Sequence, residues 1–278
     1  MDTQVEALAQ MMSGGAVLAV TGAGISTDAG IPDYRGPGRK EEPSVFYDQF
    51  ISDPVWQRWV WQRNEETWRS VAALKPTEGH KALVRLEEAG LLLGVATQNV
   101  DNLHSAAGSQ NVAELHGSFM RVACTQCRET FPRDGIVNDI IQSANPNIIH
   151  DPDPAHAAVL ASADRAKAEK STFTVPLCPQ CGGLLKPDIT FFGESLPGDA
   201  LDAALDMARR ADFVLVAGSS MYVQTGVWVV REALARGARL GVVNRGATAV
   251  DEIADIRIDG GCSEVLSEIA DMLTGAKG

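Results

Sequence analysis

The sequence contains no long apolar run. Its longest runs have the length of a β-strand, such as residues 16–20, and none approaches the roughly 20 residues that a helix needs to cross a bilayer. The first residues also lack the basic-then-apolar order of a signal peptide, since Asp2 and Glu6 lie near the start. These absences predict a protein without a membrane span, and a cytoplasmic location is the default expectation.

Basic residues are in the minority. Lysine and arginine total 24 against 36 aspartate and glutamate residues, which gives a net charge of −12 at pH 7. Broad binding to a phosphate backbone needs a basic surface, so we expect no nucleic-acid partner. The charge suits a cationic partner such as a lysine-bearing peptide, although an acidic surface also serves solubility alone.

Cysteine is scarce as well, and its placement is informative. Four of the five cysteines form two Cys-x-x-Cys pairs, Cys124 with Cys127 and Cys178 with Cys181, separated by 50 residues. In a chain without a secretory signal, such pairs indicate metal ligands before disulfides. Four sulfur ligands leave no open position for water, so we expect a structural zinc ion. The fifth, Cys262, is by default a small apolar residue.

Strand-length apolar runs alternate with helical patterns along most of the chain. The strands are expected at residues 16–20, 91–97, 112–115, 213–217, 240–243 and 256–258. The helices are expected around Val5, Leu8 and Met12, from about Ser26, near 78–89, 200–210 and 225–236, and from Ser263. This alternation predicts an α/β fold with a Rossmann-like, doubly wound parallel sheet.

Two stretches of the chain interrupt this alternation of strands and helices. Residues 31–76 hold four of the five tryptophans and predict a loop with a small helical module. Residues 124–181 predict a zinc module with an insertion at 145–170.

Polar clusters follow several of these strands. Gly22 and Gly24 would let a diphosphate approach the backbone, and Ser26 could cap the following helical turn or bind a phosphate oxygen. Glycine also serves tight turns for steric reasons alone, so this feature is weak by itself. Similar clusters at 97–101, 217–220 and 243–246 follow other strands. Ligands of open α/β sheets bind beyond the carboxyl ends of the strands, which favours a nucleotide site there.

Together these residues resemble the sirtuin family. The matching runs are Gly-Ala-Gly-Ile-Ser-Thr at 22–27, Gly-Ile-Pro-Asp-Tyr-Arg at 30–35, Thr-Gln-Asn-Val-Asp-Asn-Leu-His at 97–104, Glu-Leu-His-Gly at 114–117, the four paired cysteines, Leu-Lys-Pro-Asp at 185–188, Phe-Phe-Gly-Glu at 191–194, Gly-Ser-Ser at 218–220 and Asn244. They occur in family order and span residues 16 to 262. The resemblance implies an NAD-dependent protein lysine deacylase that releases nicotinamide and O-acyl-ADP-ribose, with acyl-lysine proteins or peptides as substrates.

The resemblance also assigns roles to individual residues. His116 matches the family's base, and an imidazole with a pKa near 6.5 is largely neutral at pH 7. Asn99 and Asp101 would act beside it, shaping the ribose and nicotinamide pocket. The implied NAD-binding residues are Gly22, Ala23, Gly24, Ser26, Ile31, Asp33, Tyr34, Arg35, Gln98, Asn99, Val100, Asp101, Gly218, Ser219, Ser220, Asn244, Arg245, Gly246 and Cys262. The implied substrate-binding residues, which would pair with a peptide backbone, are Phe192, Gly193 and Glu194.

Finer features resemble the class II branch, which includes mitochondrial lipoamidase-like members. They are Asp-Tyr-Arg at 33–35, Lys186 before Pro187, and the long spacer between the cysteine pairs. The branch specific for acidic acyl groups carries a Tyr-x-x-Arg pair after the cofactor loop, whereas residues 36–42 here lack it. Preference for succinyl or malonyl groups is therefore not expected, although Arg39 or Lys40 could partly substitute.

The resemblance divides the chain into three parts. Residues 1–35, 77–118 and 186–278 are expected to form the NAD-binding domain, 36–76 the cofactor loop and helical module, and 119–185 the zinc module. A monomer is expected. Two alternative functions stay open: a mono-ADP-ribosyltransferase that uses the same pocket, and a non-catalytic NAD- or zinc-dependent binding module.

Overall fold

A computed structural model describes residues 3–31, 44–147 and 163–275 of the chain. Its α-helices, in chain order, are α1 (Thr3–Met12), α2 (Tyr47–Ser52), α3 (Pro54–Ala72), α4 (Glu78–Glu88), α5 (Leu103–Ala107), α6 (Ile136–Ala144), α7 (Arg165–Ala168), α8 (Gly198–Arg210), α9 (Gln224–Leu234) and α10 (Cys262–Thr274). Its strands are β1 (Val17–Thr21), β2 (Leu92–Thr97), β3 (Val112–Glu114), β4 (Gly117–Cys124), β5 (Thr130–Pro132), β6 (Leu185–Ile189), β7 (Phe213–Ala217), β8 (Arg239–Val243) and β9 (Ile256–Ile258).

The chain divides into two compact units. The first consists of Met1–Asp33, Lys75–His116 and Leu196–Gly278, and the second of Tyr34–Leu74 and Gly117–Ser195. In the described parts of both units, no helix is long and apolar enough to span a membrane.

The first unit is built on a six-stranded parallel sheet with the strand order β3-β2-β1-β7-β8-β9. Strand β1 is buried at every position, and its side chains alternate between two cores. Val17 and Ala19 pack in the core with α1, α4 and α10, whereas Leu18 and Val20 pack in the core with α8 and α9. Helices therefore cover both faces, and the predicted doubly wound α/β fold is confirmed.

One local element differs from the expectation. The turn after β1 leads into a 3-10 helix over Ala23–Ala29 rather than a helix that begins near Ser26. The backbone N–H of Ile25 donates to the carbonyl of Gly22, three residues earlier, at 3.1 Å. Gly30 ends this segment in the left-handed conformation, with φ of 98°. The glycine turn is thus tighter than an ordinary strand-to-helix connection.

The second unit contains a three-stranded antiparallel sheet in the order β5-β4-β6, together with the helix α3. Helix α3 begins at a favourable sequence, because Asp53 accepts a hydrogen bond from the N–H of Val55 at 2.8 Å and Pro54 fills the first helical position. The indole N–H of Trp61, on this helix, donates to the carbonyl of Leu185 at 3.0 Å. This contact joins the helix to strand β6 in one core.

The second unit contains most of the two modules expected at 36–76 and 119–185, together with residues 186–195. Residues of β6 fall in this unit because β6 runs antiparallel beside β4, with Lys186 opposite Ala123 and Pro187 opposite Val122. Most of the expected insertion at 145–170, and the stretch 36–42 with Arg39 and Lys40, lie outside the described residues.

Candidate active site and zinc site

The parallel register brings the predicted strand-end clusters to one edge of the sheet. Thr21 at the end of β1 aligns with Thr97 of β2 and with Ala217 of β7, and Ala217 aligns with Val243 of β8. The order of the strands reverses beside β1, since β2 and β3 lie on one side of it and β7 to β9 on the other. Ligands of open α/β sheets bind at such a reversal point, beyond the carboxyl ends of the strands.

The loops that follow β1 and β7 pack directly on each other at this point. The N–H of Gly24 donates to the carbonyl of Gly218 at 2.7 Å, and Gly218 itself has a φ of 64°. A Cβ on Gly24 would lie 2.7 Å from the Cα of Gly218, and one on Gly22 would lie 2.8 Å from the Cβ of Ser219. Packing alone therefore requires these glycines, and their contact with a diphosphate stays a prediction.

His116 is half-buried, and both of its ring nitrogens have partners. Nδ1 lies 2.9 Å from the backbone oxygen of Gln98, and Nε2 lies 2.9 Å from the hydroxyl of Thr225. A carbonyl oxygen can only accept, so Nδ1 carries the proton and the lone pair of Nε2 accepts a hydrogen bond from the hydroxyl of Thr225. Burial lowers the pKa of His116, while the hydrogen bond to the Gln98 carbonyl opposes that shift. The ring is thus held neutral, with Nε2 as its basic atom.

The side chain of Gln98 connects this histidine to the loop after β7. Ser219 Oγ donates to Gln98 Oε1 at 2.9 Å, and Gln98 Nε2 donates to Thr225 Oγ1 at 3.2 Å. The chain of hydrogen bonds runs from Ser219 through Gln98 and Thr225 to His116. Two predicted cofactor-binding residues and the predicted base therefore belong to one network.

Asp101 and Asn99 form a second network around Ser26. Ser26 Oγ donates to Asp101 Oδ2 at 2.7 Å, and Asn99 Nδ2 donates to Ser26 Oγ and to the carbonyl of Gly22, both at 3.1 Å. The N–H of Leu103 donates to Asp101 Oδ1 at 2.9 Å. Burial raises the pKa of Asp101, and these hydrogen bonds oppose the rise. The structure brings these three predicted residues together.

Two further histidines lie beside this network, and the sequence reasoning did not place them there. The rings of His80 and His104 pack edge to face with centroids 4.6 Å apart. His80 Nε2 lies 3.5 Å from Ser26 Oγ, and His104 Nε2 lies 2.8 Å from Thr21 Oγ1. Burial lowers the pKa of His80 to about 4, and burial together with His80 lowers the pKa of His104.

Local signals could have indicated part of this arrangement. Thr77 is the N-cap of α4, and His80 stands three residues later, where its ring accepts from the Thr77 N–H at 3.2 Å. Nothing in the sequence marks Thr225, the second residue of α9, as the partner of His116, because 109 residues separate the two.

The remaining predicted cofactor residues are spread along the sheet edge. Asn244 is buried after β8, and its Nδ2 donates to the carbonyls of Arg245 and Gly246 at 3.0 Å. Cys262 is buried as the first residue of α10, and burial raises its pKa to about 12.

The other predicted cofactor-binding residues follow strands or turns as expected. Among them, Ile31 is buried and Ala23, Val100 and Ser220 are half-buried. Asp33, Tyr34 and Arg35 lie outside the described residues.

The predicted substrate segment lies in the second unit, after β6. The carbonyl of Phe192 already accepts from the N–H of Tyr47 at 3.0 Å. The carboxylate of Glu194 accepts from Lys186 Nζ at 3.1 Å and from the Phe191 N–H at 2.9 Å. The side chain of Glu194 is thus held within the unit. Phe192 exposes 53% of its surface, and peptide binding by this segment stays a prediction.

The four paired cysteines converge as the sequence predicted. All four sulfur atoms lie within 4.8 Å of one another, with Cys124 and Cys181 at 3.6 Å and Cys127 and Cys178 at 3.7 Å. Tetrahedral zinc with bonds of about 2.3 Å would place its sulfur ligands about 3.8 Å apart. The donor set therefore fits a structural zinc ion.

The fold and the two sites define a class of protein: an α/β domain of the dinucleotide-binding type in a chain that also carries a four-cysteine metal site. A family model described as the Sir2 family matches residues 22–225. An NAD-dependent protein deacetylase 1 of Mycobacterium avium (strain 104) is 44% identical over 268 residues, which cover 96% of this chain and 95% of that protein. The chain belongs to the Sir2, or sirtuin, family.

One further relative and one solved structure are also similar to this chain. The NAD-dependent protein lipoamidase sirtuin-4, mitochondrial, of Bos taurus is 38% identical over 257 residues, or 90% of this chain and 80% of that protein. A solved structure described as Sir2 with a p53 peptide and NAD+ superposes with a TM-score of 0.70 at 32% identity and covers 97% of this chain and 98% of that chain.

Proposed function

We infer that this chain is an NAD-dependent protein lysine deacylase, and we propose the residues that carry the reaction. Membership of the Sir2 family and similarity to NAD-dependent deacetylases over most of the chain support the activity. The single structural observation that supports the mechanism is His116, whose Nδ1 is bonded to the Gln98 carbonyl, so that Nε2 is its unprotonated nitrogen.

NAD supplies the ribose that takes the acyl group and the nicotinamide that leaves. In our proposal, Nε2 of His116 would accept the proton of a ribose hydroxyl, so that this oxygen could take the acyl group while the lysine amine leaves. The Gln98 carbonyl fixes the tautomer of the ring, so that the basic nitrogen is always the same one. Thr225 occupies that nitrogen in the structure described here and has to yield its hydrogen bond to the reacting hydroxyl.

The edge of the sheet has donors and acceptors suited to a dinucleotide. We propose that Asn99 and Asp101 orient the ribose and the nicotinamide amide, supported by Ser26, which bonds both side chains. Ser219, Asn244 and the first residues of α10 would hold the phosphate and adenosine end, where the helix N-terminus favours negative charge. The other residues named by the resemblance would surround them.

The finer assignments are proposals too. The lipoamidase relative and the features at 33–35, Lys186 and the cysteine spacer support a place in the class II branch. Acyl-lysine peptides are the proposed substrates, supported by the similar structure that holds a p53 peptide. We also propose a cytoplasmic monomer, and the net charge of −12 supports the absence of a nucleic-acid partner.

The test is nicotinamide release from NAD with and without an acetyl-lysine peptide. Release should depend on the peptide, and His116→Ala should lower it by at least about a hundredfold while the thermal midpoint stays unchanged. Lys81→Ala is the matched control, because Lys81 is exposed and pairs only with Glu78 among the described residues. Full turnover in His116→Ala would remove His116 from the mechanism.

Mass spectrometry of the products separates the alternatives. A deacylase yields O-acyl-ADP-ribose and a peptide with an unmodified lysine side chain, whereas an ADP-ribosyltransferase yields a protein that gains an ADP-ribosyl group. NAD binding without turnover on any peptide would favour the non-catalytic binding module instead.

A further inference from the structure

The hydrogen bonds around His116 form a closed circuit, and both ends of the circuit belong to Gln98. The side-chain Nε2 of Gln98 donates to Thr225 Oγ1 at 3.2 Å, and Thr225 Oγ1 lies 2.9 Å from Nε2 of His116. On the other side of the ring, Nδ1 of His116 lies 2.9 Å from the backbone oxygen of Gln98. All three residues belong to the first unit. The imidazole is therefore held at both of its nitrogens.

The direction of each bond in this circuit follows from groups that can act in only one way. The amide of Gln98 is oriented, because its Nε2 also donates to the carbonyl of Val223 at 3.3 Å and its Oε1 accepts from Ser219 Oγ at 2.9 Å. Thr225 Oγ1 accepts from this amide, so its own proton is directed to Nε2 of His116. The circuit thus has one arrangement of protons, in which Nε2 of His116 is the unprotonated atom.

The side chain of Thr225 is committed to this circuit. Its hydroxyl bonds only Gln98 and His116 among the described residues, and it makes no bond to the backbone of its own helix. Thr225 is the second residue of α9 and is only 8% exposed. A β-branched side chain has few allowed rotamers in a helix, which restricts the direction of the hydroxyl. The hydroxyl therefore serves the imidazole rather than the helix.

Two bonds at opposite nitrogens constrain the imidazole more than one bond does. With the Gln98 carbonyl as its single partner, the ring could rotate about that hydrogen bond. A general base works only when its lone pair points at the proton that it accepts. The bond from Thr225 fixes the direction of that lone pair before a substrate hydroxyl arrives.

We propose that Thr225 is a positioning residue for the base: its hydroxyl holds the ring of His116 in the reactive plane and tautomer until a substrate hydroxyl replaces it at Nε2. This inference rests on the proposed deacylase function and adds a residue to that same site. Because Thr225 acts through His116, its loss should affect the rate of the chemical step rather than the binding of NAD or peptide.

The experiment removes and then restores the hydroxyl at this one position. Thr225→Val keeps the shape of the side chain, whereas Thr225→Ser keeps the hydroxyl. With an acetyl-lysine peptide, Thr225→Val should lower kcat by about tenfold, the factor that corresponds to one lost hydrogen bond, and should change the KM values for NAD and peptide by less than about twofold. Thr225→Ser should retain at least about half of the kcat of the unaltered protein.

Thr274→Val is the matched control. Thr274 lies at the end of α10 in the same unit, where its Oγ1 donates to the carbonyl of Ala270 at 2.8 Å, and its loss should leave kcat unchanged. If Thr225→Val does not fold, as judged by circular dichroism, Thr225→Ala replaces it with the same expected loss. A loss expressed only in KM, or a kcat that serine does not restore, would overturn the proposal. A kcat in Thr225→Val that equals or exceeds that of the unaltered protein would show that the hydroxyl only obstructs the base.

Nitrogen-15 NMR of the histidine rings keeps this inference separate from the proposed function. The spectrum of His116→Ala identifies the His116 resonances in the unaltered protein, where Nδ1 should be protonated and Nε2 unprotonated but hydrogen-bonded. In Thr225→Val, the Nε2 resonance should move toward that of an imidazole nitrogen without a hydrogen bond. If no acyl peptide is turned over, the deacylase proposal fails, and these resonances still test the circuit. An unchanged Nε2 resonance beside normal turnover would leave the deacylase intact and reject the role of Thr225.

Discussion

The protonation state of His116 depends on its burial and on its hydrogen bond to Gln98, as well as on the ordinary pKa of an imidazole. Burial disfavours the imidazolium and lowers the pKa, and the Gln98 carbonyl, which accepts from Nδ1, works in the opposite direction. The shift is downward. At neutral pH the ring is therefore neutral, with Nε2 free to accept a proton.

The pH dependence of turnover follows from the lowered pKa of His116. A base must be unprotonated, so kcat/KM should be constant near neutral pH and fall only as the pH drops through the lowered pKa of His116. Its acidic limb should lie below the ordinary histidine value of about 6.5. The measurement is a profile of kcat/KM with an acetyl-lysine peptide between pH 5 and 8. An acidic limb centred above pH 7 would contradict the assignment of this base.

Among the elements, helix α3 depends on one buried ion pair. Glu65 is fully buried and pairs with Arg133, whose guanidinium lies 4.4 Å from the ring centre of Trp68. Glu65 also accepts from Arg69 Nε at 3.1 Å and from Gln142 Nε2 at 3.2 Å. Burial lowers the pKa of Arg133 to about 9, which still leaves it charged at neutral pH.

Removal of the negative charge of Glu65 should lower the stability of the second unit, because it leaves the buried guanidinium of Arg133 uncompensated. Glu65→Gln is expected to lower the free energy of unfolding of the second unit by about 3 kcal/mol. Urea unfolding, followed by tryptophan fluorescence, is the measurement. Fluorescence suits this test because four of the five tryptophans lie on α3.

The adjacent glutamate provides the control for this prediction. Glu66 pairs with Arg63 on the same helix, but both side chains are about one-third exposed. Glu66→Gln should therefore change the free energy of unfolding by no more than about 0.5 kcal/mol. Equal effects of the two substitutions would show that the buried pair gives α3 no special support.

At the scale of the whole molecule, the chain divides into two compact units. The first unit holds the parallel sheet, His116 and most of the proposed dinucleotide residues, and the second holds α3 and the four cysteines. The cysteine pairs close a loop of 50 residues between β4 and β6. Zinc should stabilise the folded second unit, since its binding energy is available only when the four thiolates converge.

Chelation of zinc should accordingly destabilise the second unit first. Metal analysis should give about one zinc per chain, and removal of the metal should expose the second unit to limited chymotrypsin digestion while the first unit resists. Cys178→Ser should reproduce the effect. Cys262→Ser is the matched control, because Cys262 is buried at the start of α10 in the first unit and should leave the zinc content unchanged. A fully folded protein with no bound metal would refute the structural role.

The sequence by itself determined the parts that depend on near neighbours in the chain. The apolar run of β1, the Cys-x-x-Cys spacing and the polar residues that follow each strand predicted the sheet, the metal ligands and the sheet edge, because periodicity and covalent spacing are local properties. The tertiary structure alone decided which distant residues meet. It paired His116 with Thr225, Glu65 with Arg133, and β6 with β4. Such contacts depend on strand register and helix packing across scores of residues, and no local pattern records them.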